Sequence, residues 1–511
     1  MFKLKWSYIP PLLIYASAGI SGITSVVGIF FLKDYLNLSA SLIASIAFWA
    51  GIPWALKMPV GFLIDKYWNQ KHFFVYFGAF LITLSLLIMY FLLINTEFMI
   101  GIYKAETWFI ISAIISPVGY VLQDVVADAM TVEAVDPDFK KESFKKITSN
   151  NLNKSEHTIV QLYGRFAIIF GSLIVGLINL YLFKDINLSD NLNLLYSRVY
   201  LIGMIIPILS ISGVILSKLK KNRDLKTPSF KLEKLDYQIF IGSCFFVIFT
   251  LILGSLNFRL SKEIILLSSL ILIAIIIRLL IKTMSKLQQR TIIGTAIIIF
   301  TFRSMPSPGA GLNWFEIDIL GFDQSFFALL STISAAITLL GMLIFKNFMV
   351  NSSIAKLFAI LTVLSAMLYL PSILMYYNFH NYTSSITGGI VDARFIAILN
   401  TAAESPLSQV AMIPLLAWIA KNAPSKYKAT FFAVFASFTN LALSAKELLT
   451  SYLNKVFIIK REVVDKEIGK VIEKANYSDL DNLLISILII TMFVPLATIL
   501  IVQKSKVKSL D

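Results

Sequence analysis

Long apolar runs alternate with short polar segments along almost the whole chain. A helix needs about 20 apolar residues to cross the hydrocarbon core of a bilayer. We count about 14 runs of that length, from about 9–32 at the start of the chain to 482–503 at its end. The pattern predicts an all-α polytopic membrane protein.

The runs fall into groups of six, two and six. Residues 9–217 are predicted to form an amino-terminal six-helix bundle, and residues 290–503 a carboxy-terminal six-helix bundle. Residues 218–289 lie between them and hold a basic linker followed by an inserted helical hairpin. The linker is expected to lie against anionic headgroups, since clusters of lysine and arginine bind them.

Composition supports a membrane protein and excludes several other classes. Hydrophobic residues make up 57% of the chain and charged residues 15%, with a mean hydropathy of +0.78. The formal charge of +15 does not indicate nucleic-acid binding, because the basic residues lie mostly in short loops between apolar runs. With one cysteine and three histidines, we expect no internal disulfide, no metal cluster and no cofactor.

The loop charges also predict orientation. Lysine and arginine concentrate in alternate loops, and cytoplasmic loops carry this excess, so both termini are expected in the cytoplasm. The first run, 9–32, is long enough to span and is followed directly by further spans, so no cleaved leader is expected. We therefore expect a plasma membrane, the bacterial inner membrane in particular, and a monomer.

The second predicted span carries a lysine inside it and ends at a charged turn. Lys57 lies within the span, and Asp65 and Lys66 follow at its end. One interpretation is an ionic gate that closes one face of the protein in one of its states. The alternative is a lysine that reaches the headgroups beside ordinary charges that end a span.

An acidic run closes the fourth predicted span. Asp124 and Asp128 are four residues apart and therefore share one helical face, and Glu133 follows. Acids in hydrocarbon are costly unless they face water or a cation. Lys57 and Lys66 are the expected partners, and a purely structural ion pair is the alternative.

Two arginines lie within predicted spans of the two bundles. In the fifth span, Arg165 follows Gln161 by four residues and either contacts an anionic solute or pairs with an acid such as Asp128. In the ninth, Arg303 precedes a segment interrupted by proline and glycine, 304–311. Broken helices of this kind build binding sites in membrane carriers, and a guanidinium binds carboxylate or phosphate in a bidentate manner. An interfacial arginine that points outward is the alternative.

The twelfth predicted span holds Glu404 near its middle. An ionised carboxylate at that depth is costly, so Glu404 is expected to be protonated or paired. It is a candidate proton carrier.

Several of these motifs resemble one family. Pro53, Trp54, Lys57 and Pro59, with the charged turn after them, are similar to the loop between helices 2 and 3 of the major facilitator transporters. Within these transporters they resemble the folate and biopterin transporter family. The acidic run ending at Glu133 resembles the same family and, in looser form, muropeptide permeases and acetyl-coenzyme A transporters.

The resemblance continues at 320–322, 409–414 and 429–441 and implies the major facilitator fold. It adds Gln161, Gln409 and Asn440 to the expected solute contacts. The full set of expected contacts is Arg303, Gln161, Arg165, Glu404, Gln409 and Asn440. The residues expected in gating or proton coupling are Lys57, Asp65, Lys66, Asp124, Asp128, Glu133 and Glu404. One departure is Lys428, which stands where the family has an acid.

We therefore expect a secondary active transporter that works by alternating access, with proton symport as the candidate coupling. The resemblance implies a small anionic solute such as a folate or pterin, and a muropeptide, a nucleotide or another metabolite is the alternative cargo. A membrane-embedded enzyme is the remaining class. The chain has no His-Glu-x-x-His, Gly-x-Ser-x-Gly or phosphate-binding loop sequence, so we do not expect an enzyme.

Two local features complete the prediction. The outer loop 453–481 has mixed charges with apolar residues near one side, which favours a short surface helix. Gly19, Gly22 and Gly28 recur at helical spacing in the first span, and such faces allow close helix packing.

Overall fold

The structure is a computed structural model of the chain. It describes all residues except 1–4, 35, 37, 56, 68–69, 136–149, 185–190, 220–240, 243, 246–247, 251, 254–259, 283, 346–351, 423–427, 465–470 and 510–511.

The described residues are almost entirely helical. The first ten helices are α1 Ile9–Ile20, α2 Ser25–Asp34, α3 Ala40–Ala55, α4 Lys57–Lys66, α5 Lys71–Ile94, α6 Thr96–Ile102, α7 Ala105–Val135, α8 Asn150–Leu182, α9 Leu192–Gly203 and α10 Ile205–Leu219. The next ten are α11 Ser261–Ile281, α12 Lys286–Arg303, α13 Ala310–Asp318, α14 Gln324–Ile344, α15 Ile354–Met367, α16 Leu370–Tyr376, α17 Phe379–Ile386, α18 Ala393–Asn422, α19 Lys428–Val456 and α20 Leu480–Lys504. Two strands, β1 Val463–Val464 and β2 Val471–Glu473, precede α20.

The chain divides into two compact units. The first comprises residues 1–25 and 56–249, and the second residues 26–55 and 250–511. In the first unit α1 packs on α8 and α5 on α7, whereas in the second α3 packs on α19 and α14 on α18. Residues 26–55, which belong to the first two predicted spans, thus pack within the second unit. The division into 9–217, 218–289 and 290–503 stays a prediction, and most of the predicted basic linker lies outside the described residues.

Nine helical stretches of the described chain are long and apolar enough to cross a membrane. The all-helical, polytopic character of the prediction is therefore confirmed, while the number of about 14 spans stays a prediction. In the second predicted span, α3 and α4 lie on either side of residue 56, which is outside the described residues, and the apolar stretch found there is Ala40–Trp54.

The ninth predicted span is interrupted, as its proline and glycine residues indicate. α12 ends at Arg303 and α13 begins at Ala310, after Gly309 with a φ of +71°. Such a break frees backbone groups that must be satisfied when no water is present. The Ser307 N–H donates to Thr450 Oγ1 at 3.0 Å, and Asn454 Nδ2 donates to the Pro308 carbonyl at 3.2 Å. Side chains of α19 therefore stabilise the break.

The structure differs from the prediction in the loop 453–481, which is predicted to be an outer loop. Instead of a surface helix, the loop after α19 forms a hairpin in which β1 and β2 pair antiparallel, with Val463 opposite Glu473. Four of the five strand residues are valine or isoleucine. These β-branched residues favour the extended backbone over a helix, and this preference outweighs the weak helical spacing of the apolar positions.

Gly19 of α1 lies against α8 at a distance that only glycine permits. A Cβ at Gly19 would lie 2.0 Å from the Ile168 carbonyl oxygen, and one at Gly171 would lie 2.7 Å from that of Ala16. Close helix packing is therefore observed at Gly19. A Cβ at Gly22 would meet open space.

We expect Gly19→Ala to lower the free energy of unfolding by about 1–3 kcal/mol, because the added methyl group must push two helix backbones apart. Gly22→Ala is the matched control and is expected to cause no loss. Thermal unfolding of the purified protein in detergent measures both. Equal effects of the two substitutions would contradict the assignment of Gly19 to a tight helix contact.

Candidate functional site

A cluster of charged side chains lies within the first unit. Lys57 of α4 forms an ion pair with Asp124 of α7, and its Nζ lies 4.0 Å from Asp128 Oδ2. Tyr15 of α1 donates its hydroxyl hydrogen to Asp128. Lys57 is 8% exposed. The spacing of four that the sequence shows therefore brings both carboxylates to one lysine.

Arg165 of α8 lies within electrostatic range of this cluster, since its charge acts on Asp128 and on Lys57. No ion pair of Arg165 within 4 Å is found in the described part of the chain. The two cations and two carboxylates balance each other, which reduces the cost of placing charge in hydrocarbon. Sequence reasoning missed Tyr15, because a tyrosine within an apolar run carries no charge signal.

Five other predicted residues cannot be placed. The side chains of Asp65, Lys66, Glu133, Gln161 and Gln409 lie outside those that the structure describes. The helices that carry them are α4, α7, α8 and α18. Their predicted roles stay predictions.

Arg303 is the last residue of α12 and lies beside the break. Its Nε donates to the Thr439 carbonyl of α19 at 3.3 Å, and its Nη1 lies 3.9 Å from Met412 Sδ of α18. The guanidinium is therefore held between two helices of the second unit. The break after α12 and the position of the arginine agree with the sequence interpretation, and solute binding by Arg303 stays a prediction.

Glu404 lies on α18 with an exposed side chain. Its charge interacts with that of Glu316 on α13, with Lys446 on α19 and with Tyr369, which precedes α16. Glu404 therefore lies within electrostatic range of a carboxylate, an ammonium and a phenol of the second unit. Glu316 and Tyr369 are the residues that sequence reasoning missed. Glu316 follows Arg303 by thirteen positions on the helix that continues the broken span, which is the signal that would have identified it.

Asn440 makes a structural contact with the backbone of α3. Its Nδ2 donates to the Trp54 carbonyl at 3.1 Å, at the end of α3. This hydrogen bond joins α19 to α3. Solute contact by Asn440 stays a prediction.

In the described chain, no group of three or more His, Cys, Asp or Glu side chains is placed to hold a metal ion. The clusters instead combine acids with lysine, arginine or tyrosine. Such groups can bind and release a proton or attract an ionic solute.

Solved structures with the same fold are transporters. A POT family transporter in complex with 5-aminolevulinic acid aligns with a TM-score of 0.63 at 14% identity, covering 98% of this chain and 96% of that one. The nucleoside transporter NupG aligns with a TM-score of 0.56 at 10% identity, covering 97% and 99%. The xylose transporter XylE from E. coli, in an inward-open conformation, aligns with a TM-score of 0.53 at 14% identity, covering 96% and 94%. No curated protein matches the chain.

These likenesses show that the chain has the fold of these transporters, and its long apolar helices make it a multi-pass integral membrane protein. The similar structures above are described as transporters and not as enzymes. The family model that matches the chain covers residues 18–511 and is that of the BT1 family. The chain belongs to the BT1 family.

This result corrects the family assignment made from the motifs. The assignment to the folate and biopterin transporter family is replaced by the BT1 family. The solved structures above are described as POT, nucleoside and xylose transporters, and none of the three is described with a folate or pterin. A folate or pterin cargo is therefore not retained. The short motifs identify a transporter, but they carry little information about the solute.

We expect Lys57→Met to lower the free energy of unfolding by about 3–5 kcal/mol, because it leaves two buried carboxylates without their cation. Arg394→Met is the control. Arg394 pairs with Asp323 at 3.3 Å, but these side chains are 49% and 52% exposed, so the expected loss is about 0–1 kcal/mol.

Chemical denaturation of both variants in detergent tests this expectation. Adding Asp124→Asn to Lys57→Met should recover part of the lost stability, since it removes one uncompensated charge. Equal losses in the two single variants would show that Lys57 behaves as a solvated surface residue.

Proposed function

We propose that this transporter carries small solutes that bear both an ammonium and a carboxylate, short peptides and muropeptides above all, in symport with protons. The observation that supports this most directly is that Glu404 on α18 and Glu316 on α13 lie within electrostatic range of each other. Neighbouring carboxylates repel each other, and either a proton or a solute ammonium relieves that repulsion. One pair of side chains thus offers both a proton site and an ammonium site.

Arg303 supplies the opposite charge for the solute carboxylate. Its Nη1 lies 3.9 Å from the sulfur of Met412. Met412 follows Glu404 by eight residues on α18. Eight residues of helix correspond to a rise of about 12 Å. An extended peptide spans about 3.5 Å per residue, so a solute of about two to four residues fits between the two charges. This length favours peptides over the nucleotide and sugar alternatives.

The comparisons support the same cargo class. Two of the similar structures are POT family transporters, one in complex with a thioalcohol-conjugated peptide and one with 5-aminolevulinic acid. We further propose that the Lys57 cluster of the first unit takes part in gating or coupling. Cytoplasmic termini, a plasma membrane location and a monomeric state complete the proposal, and they rest on the sequence analysis alone.

Counterflow into proteoliposomes tests the cargo. Vesicles loaded with unlabelled solute should accumulate labelled dialanine or trialanine, and a muramyl tripeptide that ends in lysine or diaminopimelate, and so carries a free ammonium, should compete. Xylose and a nucleotide should not compete, since xylose lacks both charges and a nucleotide lacks the ammonium. Stronger competition by the nucleotide than by the peptides would overturn the proposed cargo.

We expect Glu404→Gln to abolish accumulation driven by an imposed pH gradient, because the amide can no longer bind the proton. Labelled peptide uptake with and without the gradient measures the effect. Glu97→Gln, the same change at an exposed site on α6, is the control and should retain gradient-driven uptake. Gradient-driven uptake by Glu404→Gln at the unmodified rate would exclude Glu404 from proton coupling.

A further inference from the structure

Two legs of the loop between α19 and α20, residues 457–464 and 471–479, pack onto the second unit at the predicted outer face. Ile459, Arg461 and Tyr477 in its two legs are 5%, 7% and 8% exposed. Lys460 and Asn476 exchange two backbone hydrogen bonds of 3.0 and 2.8 Å, which hold the legs side by side. The legs of this loop therefore form a built element of the fold.

One leg of the loop contacts an ion pair between two helix ends. Lys33 near the end of α2 lies 2.7 Å from Asp318, the last residue of α13, and these side chains are 12% and 15% exposed. Tyr477 donates its hydroxyl hydrogen to the same Asp318 carboxylate. Burial of Tyr477 and its hydrogen bond to Asp318 raise the pKa of the phenol, so it remains a donor across the physiological range. The aspartate is thus held from two sides.

The other leg contacts the same two regions. Arg461 donates to the Leu36 carbonyl just beyond α2, and its guanidinium lies 5.9 Å from the ring centre of Trp314 on α13. The loop therefore bridges the two helices that the ion pair joins.

A gap lies between these helices, one turn before the ion pair. A cavity of about 140 Å³ is lined by Ile29, Leu32, Ile43, Ala310, Asn313 and Trp314, which belong to α2, α3 and α13. Where packing is incomplete, fewer dispersion contacts hold the helices together. The polar contacts at Asp318 then contribute a larger share of the attraction between α2 and α13.

We propose that Tyr477 is a positioning residue that orients Asp318 toward Lys33, so that the two described legs of the loop set how readily α2 and α13 separate at the predicted outer face during transport. The proposal rests on the transporter class of the chain and is independent of the proposed cargo. Tyr477 contacts no solute in this scheme. It acts through Asp318.

Thiol labelling of the cavity wall tests the proposal. In a full-length Cys244→Ser background, Asn313→Cys places one thiol on α13 at the cavity, and Leu32→Cys places one on the opposite wall as a second probe. Tyr477→Phe is expected to raise the rate of labelling by a water-soluble maleimide about tenfold, the factor expected from losing one hydrogen bond to a charged group. Tyr382→Phe removes the hydroxyl of a tyrosine that is 61% exposed and should leave the rate unchanged.

A double-mutant comparison distinguishes positioning from general loosening of the fold. If Tyr477 acts through Asp318, Tyr477→Phe should raise labelling little further in an Asp318→Asn background, because the coupled group is already lost. Multiplicative effects of the two substitutions would overturn the proposal. So would an unchanged labelling rate at both probes in Tyr477→Phe, or an equal rise in Tyr382→Phe.

Discussion

The cost of placing charge in hydrocarbon is the constraint on which the arrangement of this transporter depends. In the first unit, the pairing of Lys57 with two aspartates reduces this cost, and Tyr15 adds a hydrogen bond. Lys446 lies beside acids in the second unit. Because removing one partner of a buried pair costs more than the pair contributes, each cluster is stable only as a set. A carrier that must bind a proton or an ionic solute can use such a set, since a bound cation changes its balance.

The backbone obeys the same constraint as the side chains. Helices interrupted in a bilayer expose carbonyl and amide groups that water cannot reach. The interruption after Arg303 is stabilised from α19 by Thr450 and Asn454. The polar residues of α19 thus have a structural purpose that is separate from any contact with a solute.

The sequence predicts the all-helical membrane class and the broken ninth span because both depend on local patterns, apolar run length and the positions of proline and glycine. It also predicts that Asp124 and Asp128 share a face, since their spacing matches the helical period. Tyr369 and the hairpin after α19 could not be predicted in this way. Their placement depends on contacts between helices that are distant in sequence or on β-branched residues in a short loop. The cargo could not be predicted either, because a few short sequence motifs constrain the fold more than the solute.

The polar side chains of α19 have a consequence for how this helix can be varied. Thr450 and Asn454 bind backbone groups of the interrupted segment after Arg303. Apolar replacements at these two positions would leave those groups without partners. For this helix, greater hydrophobicity would therefore not mean a more stable membrane span.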